Sequence, residues 1–454
     1  MELAGKKILV VGAGRSGMAV SRFLIEKGAS AVLTDSNNMT GQEAMLQQLT
    51  AAGVRLALGG NPEVNRGSFD LVVISPGVPL TADPARASIK NSIPVIGELE
   101  LAYCFSRTPI VAITGTNGKT TTTALTGEIF QDAGHKTLVG GNIGLPLVTE
   151  VERYSPSDVI VAEVSSFQLE TTCTFRPKVA VVLNITPDHL DRHGNMGNYI
   201  AAKARIFANQ EQDDATVLNY DDPPTAALAS KSRGKTVFFS RQAELNTGVC
   251  VKEGNIVAKL DGKLENICGV HELAIPGAHN LENALAAVAV AKIMGIASDS
   301  IASTLKNFKG VAHRLEFVAE INGVQYINDS KGTNPASSIK ALEAYDKPIV
   351  LIAGGKNKGN DFGGFAEKII ERVRVLIVLG QCAGQIADAA KARGFNSILY
   401  ASDFKEAVFL AHKSARTGDV VLLSPACASW DMFNNYEERG ELFKKIVLDF
   451  SEVN

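Results

Sequence analysis

Val111-Ala-Ile-Thr-Gly-Thr-Asn-Gly-Lys-Thr-Thr121 is the stretch on which the fold reading turns. The apolar run ending at Ile113 predicts a strand, Gly115-Thr-Asn-Gly118 a tight turn, and the apolar spacing from Thr120 to Phe130 a helix. A strand, a glycine turn and a helix start form an anion cradle. Backbone N–H groups of Gly115, Thr116, Asn117 and Gly118 face a phosphate, and the first turn at Thr120 and Thr121 adds the positive end of the helix dipole. Lys119 contributes a full charge, and the Thr120 hydroxyl can ligate magnesium. Gly115 and Lys119 are four positions apart, so the loop is shorter than the common nucleotide loop, which holds a second glycine and five intervening positions.

Upstream lies another strand-turn-helix. Lys7-Ile-Leu-Val-Val-Gly12 leads into Gly12-Ala-Gly14-Arg-Ser-Gly17, a helix from Met18 to Lys27 follows, and the strand Ala31 to Thr34 ends in Asp35. This is the dinucleotide fingerprint G-x-G-x-x-G with an acid about twenty residues on. Ser16 and Asp35 stand at its mouth, and the strand after Phe69 adds a further glycine turn at Gly77. The pattern provides for a diphosphate and a ribose without requiring a nicotinamide. An NAD-dependent oxidoreductase is therefore one reading of this half, although hydride transfer leaves the 111–121 loop without a task.

With 454 residues, 45% apolar and 20% charged, the chain can form two to four domains with cores of their own. A net charge of −3 gives no basic footprint for nucleic acid, and no run approaches the ~18 apolar residues of a membrane span. Six cysteines (104, 173, 250, 268, 382 and 427) lie far apart without metal-type spacing. They read as small apolar residues of a reducing, cytoplasmic protein without structural zinc.

Further strands end in chemistry. Asp158-Val-Ile-Val-Ala-Glu163 delivers Glu163, and the strand from Val179 delivers Asp188, His189, Asp191 and His193, all suited to magnesium and its waters. Lys203 has Tyr199, Ile200, Ile206 and Phe207 as helical neighbours, which places it on an apolar stripe. It is either a lysine snorkelling past the core edge or a buried amine that sheds its proton. Residues 215–264 read as β-rich, with no chemistry. Asn280 and Asn283 open an alanine-rich helix, either as caps or as ligand contacts. After Gly310, Arg314, Asp329, Lys331, Thr333, Lys356, Lys358 and Ser429 stand at strand ends of a third α/β segment.

A phosphate loop, magnesium-type acids and further lysine loops fit ATP-driven activation of a substrate, and a second anion site suits a diphosphate-bearing one. The chain resembles the Mur ligases of bacterial peptidoglycan synthesis nearly end to end. The resemblance runs through Ile113-Thr-Gly-Thr-Asn-Gly-Lys-Thr120, Gly140-Gly-Asn-Ile-Gly144, Glu163-Val-Ser-Ser-Phe-Gln-Leu-Glu170, Asp188-His-Leu-Asp-Arg-His193, Asn328-Asp-Ser-Lys331 and Leu423-Ser-Pro-Ala-Cys-Ala-Ser-Trp-Asp431. It implies three α/β domains: a Rossmann-like uridine-diphosphate domain (1–106), a P-loop ATPase-like domain with a mainly parallel sheet (107–310) and a Rossmann-like amino-acid domain (311–454). The Asp-Asn-Pro-Arg motif of members that add a diamino acid is absent, so the implied substrates are UDP-N-acetylmuramoyl-L-alanine and D-glutamate, joined through an acyl phosphate.

Carried over by residue, the resemblance gives Lys119 the β- and γ-phosphates. Thr120 and Glu163 receive one magnesium; His189 and Lys203, the latter as a carbamate, receive a second. Asn142 positions the carboxylate, Asn283 and Asp329 contact the adenosine part, and Arg314 and Lys331 reach the phosphates. Thr333, Lys358 and Ser429 bind D-glutamate, while Ser16, Asp35 and Gly77 hold the uridine diphosphate. Tyr436 stands where some members have a pocket phenylalanine, and Lys356 where they have an acid. A monomer is expected. A related amide ligase using another amino acid remains the nearer alternative.

Overall fold

The computed structural model describes residues 1–39, 42–275, 277–357 and 359–452. They fold around three sheets and fall into two compact units. One unit comprises Met1–Glu272 with Glu282–Lys306; the other comprises Leu273–Leu281 and the chain from Asn307 onward.

The first sheet is parallel, in the order Arg55–Leu58, Ser30–Asp35, Lys7–Val11, Leu71–Ile74, Val95–Gly97. Its central strands are nearly continuous apolar runs because both faces are covered, the usual state of a parallel sheet. The helix Arg15–Glu26 begins inside the fingerprint turn, three residues before the expected start. Its early start rests on Gly17, where a Cβ would lie 1.8 Å from the Gly12 carbonyl oxygen, so only glycine lets helix and strand approach this closely.

The second sheet has nine strands. Thr137–Gly141, Val159–Glu163, Ile110–Thr114, Val179–Val182, Ala215–Asn219, Lys235–Ser240 and Gly248–Lys252 run parallel, and Asn255–Leu260 and Lys263–Gly269 close the edge as an antiparallel meander. The β-rich reading of 215–264 is thus part of this sheet. Strand Ile110–Thr114 lies between Val159–Glu163 and Val179–Val182, so the chain leaves it in one direction and returns in the other. Ligands of open α/β sheets bind in the crevice that such a reversal opens.

The first two sheets share one apolar core, to which Ile8, Val10 and Leu33 contribute from one and Ile110, Ala112 and Val182 from the other. Helix Glu98–Phe105 joins them, with Leu99, Leu101 and Ala102 buried against Leu147, Val148 and Val151. Two buried acids fix the junction. Glu98 accepts from the Val148 N–H at 2.8 Å, and Glu100 accepts from the backbone of Cys173, Thr174 and Phe175 at 2.7–3.0 Å. Burial pushes the Glu98 carboxyl up to about 7, against the two backbone N–H groups that lower it.

In the second unit the hairpin Glu316–Ile321, Val324–Asn328 adds an antiparallel edge to the parallel strands Val420–Leu423, Ile349–Gly354, Val373–Leu379 and Ile398–Tyr400. Among the described residues, no helix is long and apolar enough to cross a membrane.

The candidate active site

The 111–121 stretch folds as its pattern requires. All of Ile110–Thr114 is buried, and helix Lys119–Asp132 starts directly after Gly118. Gly118 has φ +85°, and a Cβ there would sit 2.3 Å from the Asn283 side-chain oxygen. Left-handed backbone and close approach both demand glycine. The Lys119 Nζ folds back over its own turn, donating to the Gly115 and Thr116 carbonyls at 2.9 Å each.

Neighbouring strand ends brace this turn. The Asn184 side chain accepts from the Asn117 N–H at 2.8 Å and returns a bond to the Asn117 carbonyl at 3.1 Å. Thr116 Oγ1 receives the Thr186 N–H and lies 3.2 Å from the Tyr199 hydroxyl. Asn283 accepts from the Thr122 hydroxyl at 3.2 Å, which ties the alanine-rich helix to the cradle. Asn280 is inside that helix, Ala278–Ile293, rather than at its cap position. Asn184 was absent from the expected set, because an isolated asparagine after a buried strand carries no signal until the strands are paired.

Glu163 ends the strand hydrogen-bonded alongside Ile113. It is buried; one carboxylate oxygen accepts from the Asn142 side chain at 2.8 Å, and the other has no hydrogen-bond partner among the described residues. Leaving a buried carboxylate half-satisfied costs several kcal/mol unless a cation takes up the remaining oxygen. An open carboxylate oxygen fits a hard, oxygen-seeking ion such as magnesium, and Thr120 stands in the first turn of the helix that follows the neighbouring strand.

Lys203 is 1% exposed, which rules out snorkelling. Its Nζ donates to the Gly115 carbonyl at 2.8 Å and sits 4.7 Å from the centre of the Tyr199 ring. Burial first, then the charge of Lys119, hold its ammonium well below the usual lysine range, while Asp188 opposes them. His189 adopts φ +52° at the head of helix Leu190–His193, half-exposed, with its ring 4.9 Å from that of Phe167. His193, by contrast, is buried. It meets Ser166 Oγ at 3.0 Å and Glu170 at 3.4 Å, and Glu170 also pairs with Arg192 at 2.6 Å. Arg192 in turn donates to the Val78 carbonyl of the first sheet's loops, so His193, read as a magnesium-type residue, has a structural role here.

Ser16, Asp35 and Gly77 come together on one cleft of about 620 Å³. Asp35 caps the fingerprint turn, accepting from the Ala13 N–H at 2.8 Å and the Asn37 N–H at 2.9 Å.

In the second unit Asp329, Lys331 and Thr333 follow strand Val324–Asn328, Ser429 and Tyr436 follow its neighbour Val420–Leu423, and Arg314 precedes the hairpin. Buried Asp329 accepts from Ser424 Oγ at 2.7 Å, and burial raises its carboxyl to about 6 although Arg314 pulls it down. Arg314 Nε has no hydrogen-bond partner among the described residues. Lys331 Nζ lies 5.6 Å from the Tyr436 ring centre, and Ser330 Oγ donates to the Tyr436 carbonyl. Buried Arg439, unanticipated from sequence, clasps Ser330 by its side chain at 2.9 Å and its carbonyl at 2.8 Å. Lys356 pairs its backbone with Ala428, and its side chain is exposed. Lys358 lies outside the described residues.

The cysteines depart in part from the expectation. Cys250, Cys268, Cys382 and Cys427 are buried, but Cys173 is exposed and Cys104 intermediate.

Three sheets of this topology and a short lysine loop beside a half-satisfied acid define an α/β nucleotide-dependent protein, and comparison with known proteins names the family. Models described as Mur ligase MurD-like N-terminal domain, Mur ligase middle domain and Mur ligase glutamate ligase domain match residues 6–97, 113–291 and 313–427. The UDP-N-acetylmuramoylalanine–D-glutamate ligase of Pelotomaculum thermopropionicum is 67% identical over 447 residues, 98% of either chain. The chain belongs to the Mur ligase family. Among solved structures, the UDP-N-acetylmuramate–alanine ligase of Thermotoga maritima has a TM-score of 0.61 at 21% identity, covering 99% of this chain and 100% of that one. The MurF ligase of the same organism in complex with ADP has a TM-score of 0.59 at 18% identity, covering 98% and 96%. Both share the fold.

Proposed function

We propose that this chain is an ATP-dependent ligase that joins D-glutamate to the L-alanine carboxylate of UDP-N-acetylmuramoyl-L-alanine, in the cytoplasm and as a monomer. The observation that carries the reading is the partnerless, buried oxygen of Glu163 beside the Lys119 loop. The 67% identical relative and its fellows are named as UDP-N-acetylmuramoylalanine–D-glutamate ligases, which supports these substrates. In domain terms, residues 1–106 hold the uridine diphosphate, 107–310 the ATP and 311–454 the amino acid.

A carboxylate is a poor electrophile, and its oxygen is a poor leaving group. Transfer of the γ-phosphoryl group to it gives an acyl phosphate, which the amine of D-glutamate attacks to give an amide and phosphate. The protein's part is to position the partners and neutralise charge. Gly115, Thr116, Asn117, Gly118, Lys119, Thr120 and Thr121 cradle the phosphates, and Asn283 and Asp329 contact the adenosine part. Arg314 and Lys331 reach the transferring group. Asn142 orients the acceptor carboxylate. Ser16, Asp35 and Gly77 hold the uridine diphosphate, and Thr333, Lys358, Ser429 and Tyr436 bind D-glutamate. Thr120 and Glu163 would hold one magnesium ion and His189 and Lys203 a second, and the ions would supply charge neutralisation for the phosphoryl group. A neutral amine is a poor magnesium ligand. The buried, deprotonated Lys203 amine is, however, the form that adds carbon dioxide, and its carbamate presents oxygen.

Phosphate release with UDP-N-acetylmuramoyl-L-alanine and ATP, measured across a series of amino acids, tests the reaction. D-Glutamate should give the highest kcat/KM; preference for another amino acid, or redox turnover without ATP, overturns the assignment. For the carbamate, protein equilibrated with 13C-bicarbonate should show a carbamate carbon resonance that Lys203→Ala lacks. Turnover should fall in carbon-dioxide-depleted buffer and recover when bicarbonate returns.

A further inference from the structure

Cys382 and Cys427 are 45 positions apart in sequence, yet their sulfurs approach to 2.7 Å, and each residue is 1% exposed. Cys250, also buried, accepts the Leu245 N–H on its sulfur at 3.4 Å. The pair lies under the loops that carry the amino-acid residues. Cys427 is two positions before Ser429, and the Cys382 thiol donates to the Gly355 carbonyl at 2.8 Å. Gly355 precedes Lys356, whose N–H and carbonyl pair with Ala428 at 2.8 and 3.1 Å. A Cβ on Gly355 would lie 3.2 Å from the Cys427 Cβ, so the two loops are already in contact at this point.

We propose that Cys382 and Cys427 form a dithiol modification site that peroxide converts to an intramolecular disulfide, fastening the two loops of the amino-acid pocket together. The chemistry assigns different parts to the two sulfurs. Cys382 is the N-cap of helix Ala383–Lys391, where the helix dipole favours an anion. The hydrogen bond from Cys427 also lowers the Cys382 thiol, while Cys427 itself is pushed up. Once it gives up the proton shared with Gly355, which the released hydroxide takes up as water, Cys382 is therefore the attacking thiolate. It displaces hydroxide from hydrogen peroxide to give a sulfenic acid; the Cys427 sulfur then attacks that sulfur and water leaves. Overall, two thiols and one peroxide give one disulfide and two waters. The bond length of a disulfide is about 2.0 Å, so the sulfurs close a gap of less than an ångström. Oxidation removes the thiol proton that Cys382 donates to Gly355 and ties the Ser429 loop to the helix start. An effect on D-glutamate turnover rests on the ligase reading; formation of the bond does not.

The test treats the full-length protein with hydrogen peroxide and follows free thiols, intact mass and peptide linkage. The expected result is loss of two thiols with the mass of two hydrogens, a peptide joining Cys382 to Cys427, and full reversal by dithiothreitol. Cys382→Ser and, separately, Cys382→Ala should lose the linkage. Oxygen addition without that linkage, or oxidation confined to the more accessible Cys104 and Cys173, overturns the site. Phosphate release should fall in step with the cross-link and return on reduction, while the two Cys382 variants stay unaffected by peroxide. Equal inhibition of those variants, or a fully cross-linked protein at full activity with D-glutamate, overturns the effect on the pocket and leaves the ligase reading standing.

Discussion

The chain builds the strand-glycine-helix cradle twice, and the two copies differ in what surrounds them. Around Gly12–Gly17 the turn is closed by glycines and by Asp35, whose oxygens are engaged by the Ala13 and Asn37 N–H groups. Its cleft is wide, and the cation of its turn is Arg15, which donates to the Gly144 carbonyl at 2.9 Å rather than folding over the turn. At Gly115–Lys119 a lysine folds over the turn, an asparagine clamps it, and a buried acid with an unused oxygen waits on the next strand. Both turn backbone N–H groups toward a helix start; only the second folds a lysine over the turn and sets a buried acid beside it, the arrangement that phosphoryl transfer calls for. A glycine motif thus marks where a phosphate sits, and the adjacent strand ends decide whether anything happens to it.

Removing the lysine should erase that difference most completely. Lys119→Ala is expected to cut phosphate release by about 10³-fold or more, equivalent to about 4 kcal/mol, with an unchanged melting temperature. Residual turnover near wild type would deny the second cradle its special role.

The helix that joins the cradles' sheets is open to a pH test. Glu98 is buried, and its folded carboxyl is raised from 4.5 to about 7. Below the unfolded value both states are protonated and the group costs nothing. As pH rises through this window the unfolded chain ionises more easily, so stability is lost, and the full penalty stands above pH 7. Glu98→Gln keeps an acceptor for Val148 without the charge. It should therefore be more stable than wild type at pH 8, by up to about 3 kcal/mol, and equal to it near pH 4. Chemical denaturation at the two pH values decides this; an equal gain at both would show that charge is not the cause.

The smallest effect is expected at the first cradle. Asp35→Ala should raise KM for the uridine-diphosphate substrate about tenfold, or about 1.4 kcal/mol, and leave kcat nearly unchanged. A fall in kcat with KM unchanged would mean that this cradle also takes part in the chemistry.

Much of this was legible in the sequence because it is local. Glycines with defined spacing, apolar runs that end in Asp35, Glu163 or Asp329, and the apolar neighbours of Lys203 need only the periodicity of strands and helices. The stripe left Lys203 either snorkelling or buried, and the structure decides for burial; the stripe's last members, Ile206 and Phe207, lie in a 3-10 turn rather than in helix Met196–Ala204 itself. Residues whose role depends on pairing between distant strands were not legible. Asn184 clamps a loop 67 positions away, Arg439 holds Ser330 across 109, and Cys382 finds Cys427 across 45. No local pattern encodes these, because each partner is brought into place by a different element: separate strand ends for Asn184 and the two cysteines, helix Tyr436–Glu452 for Arg439.

The sequence by itself determined three alternating α/β segments, two anion cradles and the residue types at their mouths, since backbone geometry and burial period act over a few residues. Tertiary structure alone decided that the first two sheets share one core through Glu98–Phe105, and that one Glu163 oxygen is without a hydrogen-bond partner among the described residues. It also turned His193 and Arg192 into a brace on Glu170. Those outcomes depend on which strand ends become neighbours, and strand order is set by the packing of the whole sheet.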